Sequence, residues 1–249
     1  MGLDLAKMRS KLKEVKGEGG GSGGSSKFWR PSDGQQTIRI LPAEDGDPFK
    51  TYHFHYNVSK GGVMCPSRNF GDECPICDFA TTLFRSGDED SKEAAKKLFV
   101  RQRFFSPVLV RGEEDEGVRV WGYGKMAYQT LLELACNPEY GDFTDLHEGT
   151  DLNLTYGKQP GAMFPKTTLT PKRNSTAFCA DIDEAKCREI MNNVPDFDTL
   201  FDRISTVEAK RILDEYLAAP PEESSSEVSQ YGNTAGGEIQ RAFNESLKN

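Results

Sequence analysis

His55, Cys65, Cys74 and Cys77 form the pattern His-x9-Cys-x8-Cys-x2-Cys. A Cys-x2-Cys pair lets two thiolates reach one ion from a tight turn, and Pro75 stiffens that turn. With Cys65 and one histidine the set becomes a closed tetrahedral Cys3His group, the donor set of structural zinc. Four filled positions leave no place for a reacting water, so the spacing implies one structural Zn2+ stabilising a loop-rich segment. His53 stands two residues from His55 and competes for the fourth position. A dithiol redox pair is the other use of Cys-x2-Cys, but it comes without the extra cysteine and histidine. Cys136, Cys179 and Cys187 fall on apolar or helical stretches and are expected to be core fillers. Cysteines clustered in this way argue for metal and a reducing compartment.

A second set of residues suits single-stranded nucleic acid. Lys92, Lys96, Lys97, Arg101 and Arg103 lead into Phe104-Phe105, and Trp121, Tyr123, Lys125 and Tyr128 follow. Residues 152–180 carry Lys158, Lys166, Lys172 and Arg173 with Tyr156 and Phe164, and no acid. Cations track phosphates while exposed rings stack on bases, each stacked base being worth roughly 1–3 kcal/mol. Trp121 and Tyr123 share one strand face opposite Val120, which predicts an aromatic face and an aliphatic one. No helix suited to reading a duplex groove is evident. No catalytic set emerges either: His147 is isolated in a polar loop, and no phosphate-cradling Gly-x4-Gly-Lys loop is present.

Several short strands must position these groups. Gln36–Leu41, Phe49–Tyr56, Phe104–Val110, Gly117–Tyr123, Asp151–Tyr156 and Lys166–Thr170 alternate in the manner of strands, and the acidic turn 113–116 reads as a hairpin tip. Many short strands with few helices between them suggest a small barrel. Ser91–Val100 and Met126–Ala135 read as helices, and after Ala180 the pattern is helical. There Ser205-x-x-Glu208 opens a helix that Pro220 and Pro221 end.

The 249 residues carry a net charge of −8, unevenly placed. Residues 178–249 hold 15 acids against 7 bases, and residues 1–177 are neutral. A neutral body with basic clusters is compatible with a polyanion, because local potential governs such binding. No apolar run reaches the ~20 residues of a spanning helix. The first sixteen residues lack the apolar stretch of a secretory signal, so an intracellular, soluble protein is expected. Residues 3–16 place Leu5, Met8, Leu12 and Val15 on one helical stripe among Lys7, Arg9, Lys11, Lys13 and Lys16. A Gly/Ser linker, 17–26, tethers that segment, and residues 220–249 form a flexible tail.

In the order of these motifs the chain resembles the single-stranded DNA-binding (helix-destabilising) protein family of T-even-type bacteriophages. The resemblance runs over about residues 27–200. It is carried by Thr37–Pro42, by Pro48-Phe49 ahead of His55, and by Cys65 with Cys74-Pro75-Ile76-Cys77. Val100–Val110, Val120–Lys125, Glu148–Leu154 and the basic Lys158–Arg173 stretch complete it. The resemblance implies an α+β fold: an OB-type five-stranded barrel with an inserted zinc subdomain around 50–90 and C-terminal helices. It favours His55 over His53 as the zinc ligand. It places single-stranded DNA in a cleft lined by Phe104, Trp121, Tyr123 and Phe164, with Arg39, Arg101, Arg103, Lys125, Lys158 and Arg173 as cations.

The same resemblance makes residues 1–16, with Lys7, Arg9 and Lys11, an arm that docks on the neighbouring protomer and makes coating cooperative. It assigns residues 27–219 to the binding core. The C-terminal region is expected to recruit phage replication and recombination proteins, although residues 220–249 hold only five acids against two bases. The function implied is non-enzymatic protection and unfolding of single strands during phage DNA replication, recombination and repair, in the cytoplasm of the infected bacterial host. The residues alone leave room for an RNA-binding zinc protein or a zinc-stabilised scaffold.

Overall fold

In chain order the strands and helices are β1 (Phe28–Trp29), β2 (Gly34–Ile40), β3 (Lys50–His55), β4 (Val63–Met64), α1 (Pro66–Phe70), α2 (Pro75–Arg85), α3 (Glu89–Leu98), β5 (Arg101–Val110), β6 (Arg119–Tyr123), α4 (Lys125–Ala135), β7 (Leu152–Gly157), β8 (Lys166–Pro171), α5 (Glu184–Asn192) and α6 (Thr206–Ala218). This computed structural model describes residues 27–59, 61–180 and 182–218. The expected arm, 1–16, the linker, 17–26, and the tail, 220–249, lie outside the described residues.

Local chemistry explains the helix starts. Asp88 accepts from the Ser91 N–H at 2.7 Å to open α3, Asp183 accepts from Lys186 at 3.0 Å to open α5, and Ser205 accepts from Glu208 at 3.1 Å to open α6. Each is a side-chain oxygen satisfying an orphan amide of the first turn. Helices α1 and α2 begin differently, each at a Cys-Pro step. Proline takes the first helical position, where its missing N–H costs nothing, and the preceding cysteine is the cap.

Strand β5 organises the sheet. One side pairs antiparallel with β6 from Phe104 opposite Tyr123 to Val108 opposite Arg119. The other side changes partner: β3 pairs with residues 101–105 and β2 with residues 108–110. Pro107 stands at the changeover, where no amide is needed, and its carbonyl accepts from the Leu41 N–H at 3.0 Å. The full order is β1-β6-β5-β2-β7-β8, with β3 branching from β5 and β4 pairing with β3. The fold is therefore α+β, with an eight-stranded sheet and six α-helices among the described residues. The sheet has eight strands where five were expected. No ladder among the described residues joins β1 to β8, so it does not close by pairing into a barrel.

Apolar side chains pack on both faces. Trp29, Ile38, Ile40, Phe104, Trp121, Tyr123, Leu131 and Leu154 form the largest cluster, beneath α4. Phe54, Phe105 and Val120 face the other way, against Phe197, Leu200 and Phe201. A third cluster joins Ile76, Phe79, Leu83 and Leu98 to Ala209 and Leu213 of α6, so the C-terminal helix closes the metal-bearing segment.

One carboxylate holds β2, β5 and β7 in register. Asp151 pairs with Arg39 at 3.2 Å and with Arg111 at 3.0 Å. Arg39 also donates to the carbonyls of Asp145 and Thr176, both at 2.7 Å. A Cβ at Gly149 would lie 2.6 Å from that guanidinium, so the site requires glycine. Removing one member of a buried ion cluster leaves uncompensated charge and costs roughly 3–5 kcal/mol. Asp151→Ala is accordingly expected to lower the stability measured by urea denaturation by about 4 kcal/mol.

Three cysteines depart from expectation. Cys179 and Cys187 form a disulfide, with Cα atoms 5.9 Å apart, across the turn into α5. They are neither free core fillers nor evidence of a reducing compartment; the separation is one that a disulfide can span. Cys136 is exposed at the end of α4, outside the core.

Candidate metal centre and nucleic-acid interface

His55, Cys65, Cys74 and Cys77 converge from three elements. His55 ends β3, Cys65 caps α1, and Cys74 and Cys77 lie at the start of α2. Their donor atoms all lie within 4.8 Å of one another. His55 Nε2 stands 3.5 Å from Cys74 Sγ and 3.6 Å from Cys77 Sγ, and the Cys65 and Cys77 sulfurs are 3.5 Å apart. Zinc bonds of about 2.3 Å to sulfur and about 2.0–2.1 Å to nitrogen give tetrahedral edges of about 3.5–3.8 Å. These four residues form a site able to hold a metal ion, and the donor set and its spacing fit zinc.

The surroundings fix the ligands. His55 is fully buried, and its Nδ1 lies 2.8 Å from the Leu98 carbonyl. A proton donated there leaves Nε2 as the lone pair facing the sulfurs, the usual outer-shell arrangement of a ligating histidine. Burial alone would lower the His55 pKa, but hydrogen bonds with the Cys65 and Cys74 sulfurs and with Leu98 raise it to about 9. Hydrogen bonds from Cys74 and Cys77 hold Cys65 well below the ordinary thiol range, and the same crowding pushes Cys77 up. A thiolate at Cys65 thus stands among the other three donors where a cation would sit. His53 is outside the group: one pleat repeat back along β3, its backbone is bound by Asn69 and Cys65. Of the two alternatives left by spacing, the geometry selects His55.

A cleft of about 860 Å3 opens beside the aromatic part of the sheet. Its cations are Arg30, Arg103, Lys125 and Lys166, and no carboxylate stands among its lining residues. None of the four cations forms an ion pair with a described carboxylate. Helix α4 begins in the wall, with Gly124 as cap, no capping side chain and no acid in its first turn. Its open amides and dipole add positive potential there, which is how helix N-termini attract phosphate. Phe28, Tyr56 and Tyr156 bring accessible ring surface to the cleft. Gly62 keeps Tyr56 in place, since a Cβ there would lie 2.9 Å from its ring. Burial raises the Tyr56 phenol pKa, against the opposing pull of the neighbouring Arg103 charge. The phenol stays neutral beside the cations.

Residues expected from sequence divide into three groups. Arg103 and Lys125 line the cleft as cations. Trp121 and Tyr123 form its back wall but are only 1% and 3% exposed, and Phe104, 2% exposed, lies behind them. Phe104 stacks on Tyr128 with ring centroids 3.8 Å apart, Trp121 sits 4.3 Å from Tyr123, and the Tyr123 hydroxyl is 2.7 Å from Ser106 Oγ. These three rings are therefore core and not open platforms, because Trp29 and α4 cover the sheet face they share. Arg39 is corrected likewise: it is fully buried and held by Asp151. Arg101, Lys158, Phe164 and Arg173 are exposed but do not line the cleft; Phe164 lies in the β7–β8 loop beside the lining residue Pro165. Arg30, Phe28 and Tyr56 were missed, although Arg30 follows an aromatic pair and Tyr56 ends an aromatic strand.

Residues 32–216 match the family described as gp32 DNA binding protein like. The chain belongs to this family. The gp32-like region includes every metal-site residue, both sheet faces and most of α6, and it leaves out only Phe28, Trp29, Arg30 and Pro31 of the cleft wall. No curated protein matches the chain. Among the described residues no helix is long and apolar enough to cross a membrane.

Burial of Trp121 gives a sharp expectation. Trp121→Ala should cost about 3–5 kcal/mol of stability, as large-to-small core changes do. Urea denaturation measures it, and any loss of ligand binding would then follow the loss of fold.

Proposed function

We propose that this gp32-like protein binds single-stranded DNA without sequence preference, in the cleft between β6, the start of α4 and the β7–β8 hairpin. The observation that carries this reading is a carboxylate-free cleft combining four cations, a bare helix N-terminus and accessible rings. Cations and amides follow phosphates, and rings stack on unpaired bases of any kind. A central strand that changes partner from β3 to β2 along its length supports an OB-type arrangement. One structural zinc would brace the wall behind Tyr56, with no part in chemistry.

The binding core would be residues 27–219, with the metal subdomain inserted in it. Residues 1–16, with Lys7, Arg9 and Lys11, would link neighbouring copies along a strand through the linker 17–26. Such a protein removes hairpins by mass action and is not an enzyme. Its setting would be phage DNA replication, recombination and repair in the cytoplasm of the infected bacterial host, with replication and recombination proteins meeting its C-terminal region.

A fluorescence titration watching Trp29 and Trp121 tests the binding. Oligo-dT should bind at least tenfold more tightly than a duplex of equal length; equal affinities would contradict the reading, and a preference for oligo-U would redirect it to RNA. Deleting residues 1–16 should leave affinity for a short oligonucleotide nearly intact and abolish sigmoidal coating of long strands. Persistent sigmoidal titration would refute the arm's role.

A further inference from the structure

Residues 194–205 run from α5 to α6 without helix or strand. In the middle of this segment, Phe201 enters one end of the cleft. Its ring lies 4.9 Å from Phe105, 5.1 Å from Phe54 and from Tyr52, and 5.7 Å from Phe28. The ring is nevertheless only half-buried. Side chains pin the segment near its two ends. The Tyr52 hydroxyl donates to the Phe197 carbonyl at 3.1 Å. Arg203 pairs with Asp72 at 2.7 Å and lies 4.3 Å from the centroid of Phe70, while Thr206 donates to the Glu73 carbonyl at 2.9 Å. The Arg203 and Asp72 side chains are 60% and 41% exposed, and exposed pairs of this kind contribute little.

The composition of the segment is as informative as its place. Asp196, Asp198 and Asp202, all exposed, alternate with the rings of Phe197 and Phe201, and no cation precedes Arg203. A chain of negative charges bearing flat rings offers a cationic, aromatic cleft the same chemistry as a single strand of nucleic acid. A base cannot stack on Phe28 or Phe105 at this end while Phe201 fills the space between them. Carboxylates left beside the bound strand would also repel its phosphates.

We propose that residues 195–203 are a displaceable, self-inhibiting plug, with Phe201 occupying a seat that a nucleobase takes in the bound protein. This inference rests on the single-strand reading above. Opening breaks no sheet ladder or helix; it has to part the side-chain pins and the ring packing of Phe197 and Phe201 on Phe54 and Phe105, which bound nucleobases would replace. Because Arg203 is pinned to Asp72, two residues before the ligand Cys74, the metal subdomain sets how firmly the plug is seated.

The test compares unmodified protein, Phe201→Ala and Arg203→Ala in titrations with a short oligo-dT, with circular dichroism confirming the fold. Vacating a stacking seat should raise the affinity of Phe201→Ala about fivefold or more. Arg203→Ala, which leaves the cleft intact, should raise it by a smaller factor. Oligo-dT should also speed proteolytic cleavage within residues 194–205 of the unmodified protein. If Phe201→Ala does not fold, Arg203→Ala and the proteolysis decide. Unchanged or weaker binding by folded variants, with no added cleavage, would make Phe201 a fixed wall and overturn the plug alone. Failure of the unmodified protein to bind oligo-dT would remove the single-strand reading, and the plug with it.

Discussion

Withdrawing the metal with a chelator, or replacing Cys77 by serine, is expected to unfold the segment from Val58 to Leu98 and to release α6. The reason lies in how little else holds that segment together. Its core is a single cluster shared with α6, α1 spans only Pro66–Phe70, and β4 only Val63–Met64. Structural zinc contributes on the order of 10 kcal/mol to such units, because the ligands come together only on folding. Without it, a buried imidazole and three crowded thiols remain, with no cation to compensate their desolvation. Ala209 and Leu213 of α6 lose their partners in the same cluster. Circular dichroism should show loss of helix, and metal analysis of the purified protein should return one zinc per chain. Acid should act in the same direction, since protons displace the metal from thiolates. A chain that keeps its full helical signal after chelation would refute the structural role.

The second large effect concerns charge. Arg103→Glu with Lys125→Glu changes a cleft wall of four cations into one of two cations and two anions. On single strands the dependence of affinity on salt has an exponent near 0.7 for each neutralised phosphate. Losing two contacts and adding two repulsions therefore costs roughly a few hundredfold in affinity near 0.1 M salt. Neither side chain belongs to an apolar cluster, so the melting curve should hardly move. The same two substitutions on the exposed Lys158 and Arg173, away from the cleft, should cost far less. Equal losses at both pairs would mean that general positive charge is responsible and not this cleft.

The metal ligands were readable because cysteine and histidine chemistry depends on spacing, and a Cys-x2-Cys beside another cysteine and a histidine has few other uses. The strands were readable from alternation, and β2, β3, β5, β6, β7 and β8 fall where it put them. The rings were not assignable in the same way. Alternation placed Trp121 and Tyr123 on one face opposite Val120, and the structure agrees, but it does not tell which face stays open. Both faces are covered here, by α4 on one side and by residues 197–201 on the other, a fact fixed by contacts distant in sequence. Arg39 escaped for a related reason. A lone arginine on a strand looks like a surface cation, and only the return of Asp151, more than a hundred residues later, turns it inward. Helix α1 was hidden by its shortness, and both α1 and α2 by prolines that read as turn residues, although each Cys-Pro step is a helix start.

The central claim is that four cations and a bare helix end in one cleft bind the phosphates of an unpaired strand. Its most direct test is the salt dependence of affinity for a short oligo-dT, measured by tryptophan fluorescence on the unmodified chain. Four phosphate contacts should give a log–log slope of about −2.8, reduced to about −1.4 when Arg103 and Lys125 are both made alanine. A slope near zero, or one that the double substitution leaves unchanged, would contradict the account.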